Sequence, residues 1–234
     1  MRHLFFDLDR TLWDFERNSE TALQSLYEDL KLADHLRSFT SFHTQYKKIN
    51  GMLWDQYSRG AISKELLRVK RFSDTLEHFG VNHSELSNSL AKGYVERSPY
   101  QTHLLPNTIE TLIQLKKEGY PLHIITNGFK EVQFIKLRQS KLEDYFDVIL
   151  CSEEVGVYKP SVQVYQEALQ RSGASAKNSV MIGDSYLADV VGAENSGFQA
   201  ILFDPHRKHK DDAHRWLIRD LKRVPEILPF IPRT

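Results

Sequence analysis

The sequence predicts a doubly wound α/β core with a parallel sheet, interrupted by an inserted α-helical domain, on three observations. Five short runs read as continuous apolar strands rather than alternating ones: HLFFDLD (3–9), PLHIITNG (121–128), FDVILCS (146–152), SVMIGD (179–184) and QAILFD (199–204). Unbroken apolar strands are what a parallel sheet covered on both faces requires. From residue 99 onward these runs alternate with helical patterns, whereas residues 14–98 carry helical patterns only. The economical architecture is therefore a core of residues 1–13 plus 99–234, with a helical insertion of 14–98.

In chain order, the first strand ends in Asp7 and Asp9. Side chains two apart on a strand share a face about 7 Å apart. Two carboxylates that close resist burial, so a cation or a reaction using both has to offset the cost. The insertion opens with NSETALQSLYEDLKL (18–32), whose Ala22, Leu23, Leu26, Tyr27 and Leu30 form one stripe, with Ser19 expected as N-cap. FTSFHTQYKKINGMLWDQYSRG (39–60) is a second helix, expected to loosen near Gly51. SKELLRVKRFSDTLEHFG (63–80) starts on a capping serine and ends on a glycine, and NHSELSNSLAKGYVERS (82–98) gives a fourth helix. SPYQTHLLPN (98–107), with two prolines, reads as the return linker.

Helices are then expected at 107–119, about 130–141, about 161–172 and about 186–196, one ahead of each remaining strand. No internal repeat or low-complexity tract is present.

Composition narrows the function classes. The 234 residues are 41% hydrophobic and 26% charged, with zero formal net charge, so nothing global points to a nucleic acid polymer or an anionic membrane. The basic stretch HRKHKDDAHR (206–215) carries its own aspartates and reads as a solvated loop. The single cysteine, Cys151, excludes an intrachain disulfide and reads as a small buried hydrophobe. No apolar run reaches the roughly 18 residues of a membrane span, and no signal-peptide core is visible. A reducing cytoplasm is the default expectation.

Ligands of open parallel sheets sit outside the carboxyl ends of the strands. Those ends carry Asp7 and Asp9, then Thr126, Asn127 and Gly128, then Lys159, then Asp184 with Asp189 five residues on. Singly, each has an ordinary explanation: an N-cap aspartate, a turn residue, a surface lysine. Together they would need an unrelated reason at four strand ends. Carboxylates and water suit Mg²⁺ and leave room for a phosphate, whose remaining oxygens a lysine and a hydroxyl could hold. No His/Cys spacing for zinc and no GxGxxG or GxxxxGK[ST] motif is present.

This pattern resembles the haloacid dehalogenase-like (HAD) hydrolases: DLDRTL resembles their first motif, IITNG the second, YKP the third and IGDSYLADVVGAENSG the fourth. The insertion between the first two motifs is similar to the family's C1 cap. The resemblance implies Asp7 as a nucleophile forming an aspartyl phosphate, and Asp9 as the acid and base. It implies Thr126 and the Asn127 N–H as phosphate ligands, and Lys159 as the group neutralising charge. Asp7, the Asp9 carbonyl and Asp184 would hold Mg²⁺, with Asp189 in the outer shell or paired with Lys159. Within the family, dehalogenases lack the second aspartate, so Asp9 implies a phosphorylated substrate. Arg10 departs from the commoner small or acidic residue and is expected to point to solvent. FFDLDRTLWDFERNS looks like the pyrimidine 5′-nucleotidase branch, which implies a nucleoside monophosphate as substrate. Trp54 and Tyr57 are candidate substrate aromatics, though their helical spacing equally suits packing within the insertion. A phosphomutase or sugar-phosphate phosphatase on the same core, and a non-catalytic scaffold binding a metabolite or protein, are the alternatives.

Overall fold

The computed structural model describes residues 1–232. The chain divides into two compact units: Met1–Phe15 with the chain from His103 onward, and Glu16–Thr102.

The first unit is built on a six-stranded sheet: β1 His3–Phe6, β2 Leu122–Thr126, β3 Val148–Cys151, β4 Ser179–Gly183, β5 Gln199–Phe203 and β6 Leu217–Ile218. Their order is β3-β2-β1-β4-β5-β6 and every pairing is parallel. The strand period of two sends alternate residues to opposite faces. Leu4, Phe6, Ile124, Val180, Ile182, Ile201 and Phe203 pack on one side, with Leu112 and Leu115 of α5 (Thr108–Lys117), Leu137 of α6 (Lys130–Gln139) and Val224 of α9 (Arg223–Ile227). Phe5, Ile125, Met181, Ala200 and Leu202 pack on the other, against Val164, Tyr165 and Ala168 of α7 (Val162–Ser172) and Ala193 of α8 (Gly192–Asn195). Strands buried on both faces explain the unbroken apolar runs. The chain crosses to opposite sides of β1, so the sheet's direction of winding reverses there, where a parallel sheet opens a crevice at its carboxyl edge.

The first strand ends at Phe6, short of the expected 3–9, so Asp7 and Asp9 belong to the turn beyond it. The Asp7 N–H still donates to the Ile182 carbonyl at 2.9 Å, which fixes the start of that turn against β4. β6 is absent from the sequence reading because two residues show no period. The helix expected at 186–196 is instead a π-turn at Tyr186–Val191 leading into α8. The 206–215 stretch is mostly exposed, and Asp204 folds its start by accepting from the N–H groups of Lys208 and His209, each at 2.9 Å.

The second unit takes α1 Phe15–Asp29 from its second residue onward, followed by α2 Phe39–Ser58, α3 Lys64–His78 and α4 Ser84–Arg97. Its core joins Leu23, Leu26, Phe42, Tyr46, Phe72, Leu76, Leu90 and Tyr94. Ser63 caps α3 by accepting from the Leu66 N–H at 3.2 Å. Ser19 is not an N-cap: α1 starts four residues earlier, and the buried Ser19 hydroxyl lies 2.8 Å from the Tyr94 hydroxyl. α2 runs through Gly51 without a break. A glycine costs about 1 kcal/mol in a helix, too little to interrupt a 20-residue helix whose buried stripe of Phe42, Tyr46, Ile49, Leu53 and Tyr57 passes it on both sides. Trp54 and Tyr57 meet edge to face, with centroids 5.5 Å apart and Tyr57 buried.

Candidate active site

At the carboxyl edge of the sheet, β1, β2 and β4 deliver Asp7, Thr126 and Asp184, and the loop after β3 delivers Lys159. Lys159 is 3% exposed, and its ammonium makes three short contacts: Asp7 Oδ1 at 2.8 Å, Asp189 Oδ1 at 2.6 Å and the Ile125 carbonyl at 2.8 Å. Those exhaust its donors. Asp189 Oδ2 accepts from the Ser185 N–H at 3.0 Å, so both its oxygens are engaged. Asp189 can sit there because Gly183 has no side chain; a Cβ on Gly183 would stand 2.2 Å from Asp189 Oδ2.

The Asn127 side chain braces the loop that carries Lys159. Its Oδ1 accepts from the Ser152 hydroxyl at 2.7 Å and the Lys159 N–H at 2.9 Å, while its Nδ2 donates to the Lys159 carbonyl at 3.0 Å. This ties the lysine-bearing loop to the end of β2. Thr126 Oγ1 accepts from the Gly128 N–H at 3.2 Å.

The electrostatics are those of a site short of positive charge. Burial pushes the Asp7 carboxyl well above the usual carboxylate range; Lys159 pulls against this, and Asp189 and Asp184 add to it. Asp184 is pushed up to about 6 by burial and then by Asp189, with Arg10, Lys208 and Lys159 opposing. Burial pulls the Lys159 ammonium down, but Asp189 and Asp7 outweigh it and hold it charged. Oxygens of Asp7, Asp184 and Asp189 all lie within 4.8 Å of one another. Three carboxylates around one ammonium, with Asp189 already committed to Lys159, leave Asp7 and Asp184 as hard oxygen donors suited to Mg²⁺.

Asp9 lies apart from this cluster. Its Oδ1 accepts from Lys136 Nζ at 2.6 Å and its Oδ2 from Gln133 Nε2 at 2.9 Å. Neither residue figures in the sequence reading. Both face inward from α6, where the buried positions are Gln133, Lys136 and Leu137. Two polar residues on the inward stripe of a short helix are the signal that marks them. Arg10 does not point to solvent as the sequence suggests. It adopts the left-handed φ of 67°, is partly buried, and lays its guanidinium 4.2 Å from the centroid of Phe15.

Residues 4–203 match the family model described as haloacid dehalogenase-like hydrolase. The chain belongs to the haloacid dehalogenase-like hydrolases. Among curated relatives it is 30% identical over 228 residues to the pyrimidine 5′-nucleotidase YjjG of Escherichia coli, covering 96% of each chain. It is 31% identical over 206 residues to a ribulose-1,5-bisphosphate 5-phosphatase of Halopiger xanaduensis, covering 86% of this chain and 84% of that protein. Among solved structures, the HAD-hydrolase YfnB of Bacillus subtilis, described as bound to magnesium, superposes with a TM-score of 0.87 at 28% identity, covering 97% and 98% of the two chains. No helix among the described residues is long and apolar enough to cross a membrane.

Proposed function

We propose that this HAD hydrolase is a Mg²⁺-dependent phosphomonoesterase working through an aspartyl phosphate on Asp7, with pyrimidine nucleoside monophosphates as its substrates. The observation that carries the reading is Asp7 in contact with a fully engaged, buried Lys159, at an edge that also carries Asp184, Thr126 and Asp9.

Asp7 attacks phosphorus, the bond from phosphorus to the ester oxygen breaks, and Asp9 gives its proton to that leaving oxygen. Water then attacks the acyl phosphate and returns a proton to Asp9. The Asp7 oxygen–phosphorus bond breaks, and inorganic phosphate leaves. Thr126 Oγ1 and the Asn127 N–H bind phosphoryl oxygens, and Lys159 stabilises charge on Asp7 and on the transferred group. Asp7, the Asp9 carbonyl and Asp184 would hold Mg²⁺, which when bound supplies charge neutralisation for the phosphoryl oxygens and for Asp7. Asp189 orients Lys159. The nucleotide preference is supported by the likeness to the nucleotidase and by Trp13 and Phe15 following the first motif.

The test is phosphate release with Mg²⁺ from UMP, dUMP, dTMP and a panel of sugar phosphates, comparing wild type with Asp7→Asn. Release from the pyrimidine nucleotides, abolished by the substitution, is expected. Release from sugar phosphates alone would retain the mechanism and discard the nucleotidase assignment. Conversion of a substrate into an isomer without phosphate release would make the protein a mutase.

A further inference from the structure

The geometry points to Gln133 and Lys136 as positioning residues that hold Asp9 in one orientation for its proton transfers. This rests on the reading of Asp9 as acid and base given above.

Lys136 is 4% exposed, and Asp9 is its only carboxylate partner among the described residues. Its ammonium lies 4.2 Å from the centroid of the Trp13 ring and 5.8 Å from that of Phe15. Burying a lysine is costly unless the charge is paired, and an apolar residue would serve that inward position of α6 better if packing were its task. The two aromatic residues after the first motif supply the face that holds this cation, which gives them work beyond filling the core.

Gln133 is completely buried, and its Nε2 is shared between Asp9 Oδ2 at 2.9 Å and Thr126 Oγ1 at 2.7 Å. Its Oε1 has no hydrogen-bond partner. The amide is thus oriented for Asp9 and Thr126 even though its own acceptor goes unsatisfied, because the reverse orientation would set Oε1 against a carboxylate. Gly128 makes room for it; a Cβ there would stand 2.4 Å from Gln133 Cδ. One side chain therefore links the proposed phosphate-binding hydroxyl to the proposed acid and base.

With both oxygens accepting, Asp9 is held in one orientation, and each oxygen keeps a further lone pair able to take a proton. With an ester whose leaving group departs without a proton, only the attack of water uses Asp9, so loss of the clamp slows breakdown of the phosphoenzyme more than its formation.

Lys136→Met keeps the stem against Trp13 and removes the charge; Gln133→Met removes the bridging amide at similar volume. The probe is p-nitrophenyl phosphate with Mg²⁺, whose leaving group departs without a proton. In either variant, nitrophenol is expected to appear in a burst approaching one equivalent, followed by a steady state slowed about 10- to 100-fold, the scale of a misplaced catalytic group. Because kcat/KM reports the first step, kcat and KM should fall together, and the phosphorylated protein should be visible by intact mass. Lys136→Arg is expected to recover part of the steady-state rate. A purely structural role would lower burst amplitude and kcat/KM with the folded fraction and leave KM unmoved; that result, or unchanged kinetics in both variants, overturns the inference. An active wild type with unaffected variants rejects the clamp alone. A wild type inactive on this ester and on every ester of the panel rejects the phosphatase reading and the clamp with it.

Discussion

Lys159 Nζ and Asp189 Oδ1 lie 2.6 Å apart with both side chains 2% exposed, and Asp7 shares the same ammonium. Removing one partner of a buried pair strands the other charge, which costs about 3–5 kcal/mol. Lys159→Met is therefore expected to lose about that much stability in urea unfolding without divalent cation. Added Mg²⁺ should restore part of it by replacing the missing positive charge. A variant as stable as wild type with and without Mg²⁺ would show that Lys159 carries no such weight.

Gly183 faces the same pair from β4. A methyl group there would stand 2.6 Å from Asp189 Cβ, so the carboxylate cannot simply rotate away. Gly183→Ala should cost about 1–3 kcal/mol by overpacking. It should also displace Asp189 from Lys159 and lower phosphate release more than it lowers the folded fraction. Melting curves read alongside turnover at a temperature where the variant is fully folded separate the two effects.

How much of this was legible in the sequence follows from where each residue sits. Asp7, Thr126 and Asp184 stand at or just beyond the ends of apolar runs, and Lys159 follows in the loop after another, so a parallel-sheet reading brings them to one edge. Gln133 and Lys136 were hidden because polar residues are ordinary in a helix; only their shared inward face, seen once α6 packs, sets them apart. Ser19 misled because a serine at the head of an amphipathic stretch fits equally well one turn inside a helix that begins earlier. The π-turn after Ser185 left no trace, since its residues keep the composition of an α-helix.

At the other end of β1, His3 and His123 stack with rings 5.3 Å apart and share one contact, Nδ1 to Nε2, at 3.0 Å. Burial, then the neighbouring His3, lowers His123 to about 4, and Lys116 lowers it further while Asp147 raises it. The His3 ring is also lowered, by burial and then by the chain's amino terminus, with Asp147 opposing. A base with a depressed folded-state pKa binds fewer protons when folded than when unfolded, so stability is full above about pH 6.5 and is lost as pH falls toward 4. Allowing for solvent screening, the loss across that window is on the order of 2 kcal/mol. His123→Phe should flatten the dependence, as read from urea midpoints between pH 7 and pH 4. An unaltered slope in the variant would assign the acid sensitivity elsewhere.

Arg10 offers a last test, because it occupies a left-handed backbone position that glycine adopts freely and adds a positive charge to the field at Asp184. That charge competes with any cation held by Asp7 and Asp184. Removing it makes the potential at Asp184 more negative and leaves the backbone unstrained, so at a pH where Asp184 is ionised Arg10→Gly should bind Mg²⁺ more tightly. A half-saturating Mg²⁺ concentration lowered about two- to fivefold is expected at low ionic strength, and a smaller change in high salt, where the guanidinium is screened. Stripping the metal with a chelator should abolish phosphate release in both proteins, and titrating Mg²⁺ back measures the difference directly. Weaker Mg²⁺ binding in Arg10→Gly would instead mean that the guanidinium, stacked on Phe15, holds the turn between Asp7 and Asp9 in the shape the cation needs.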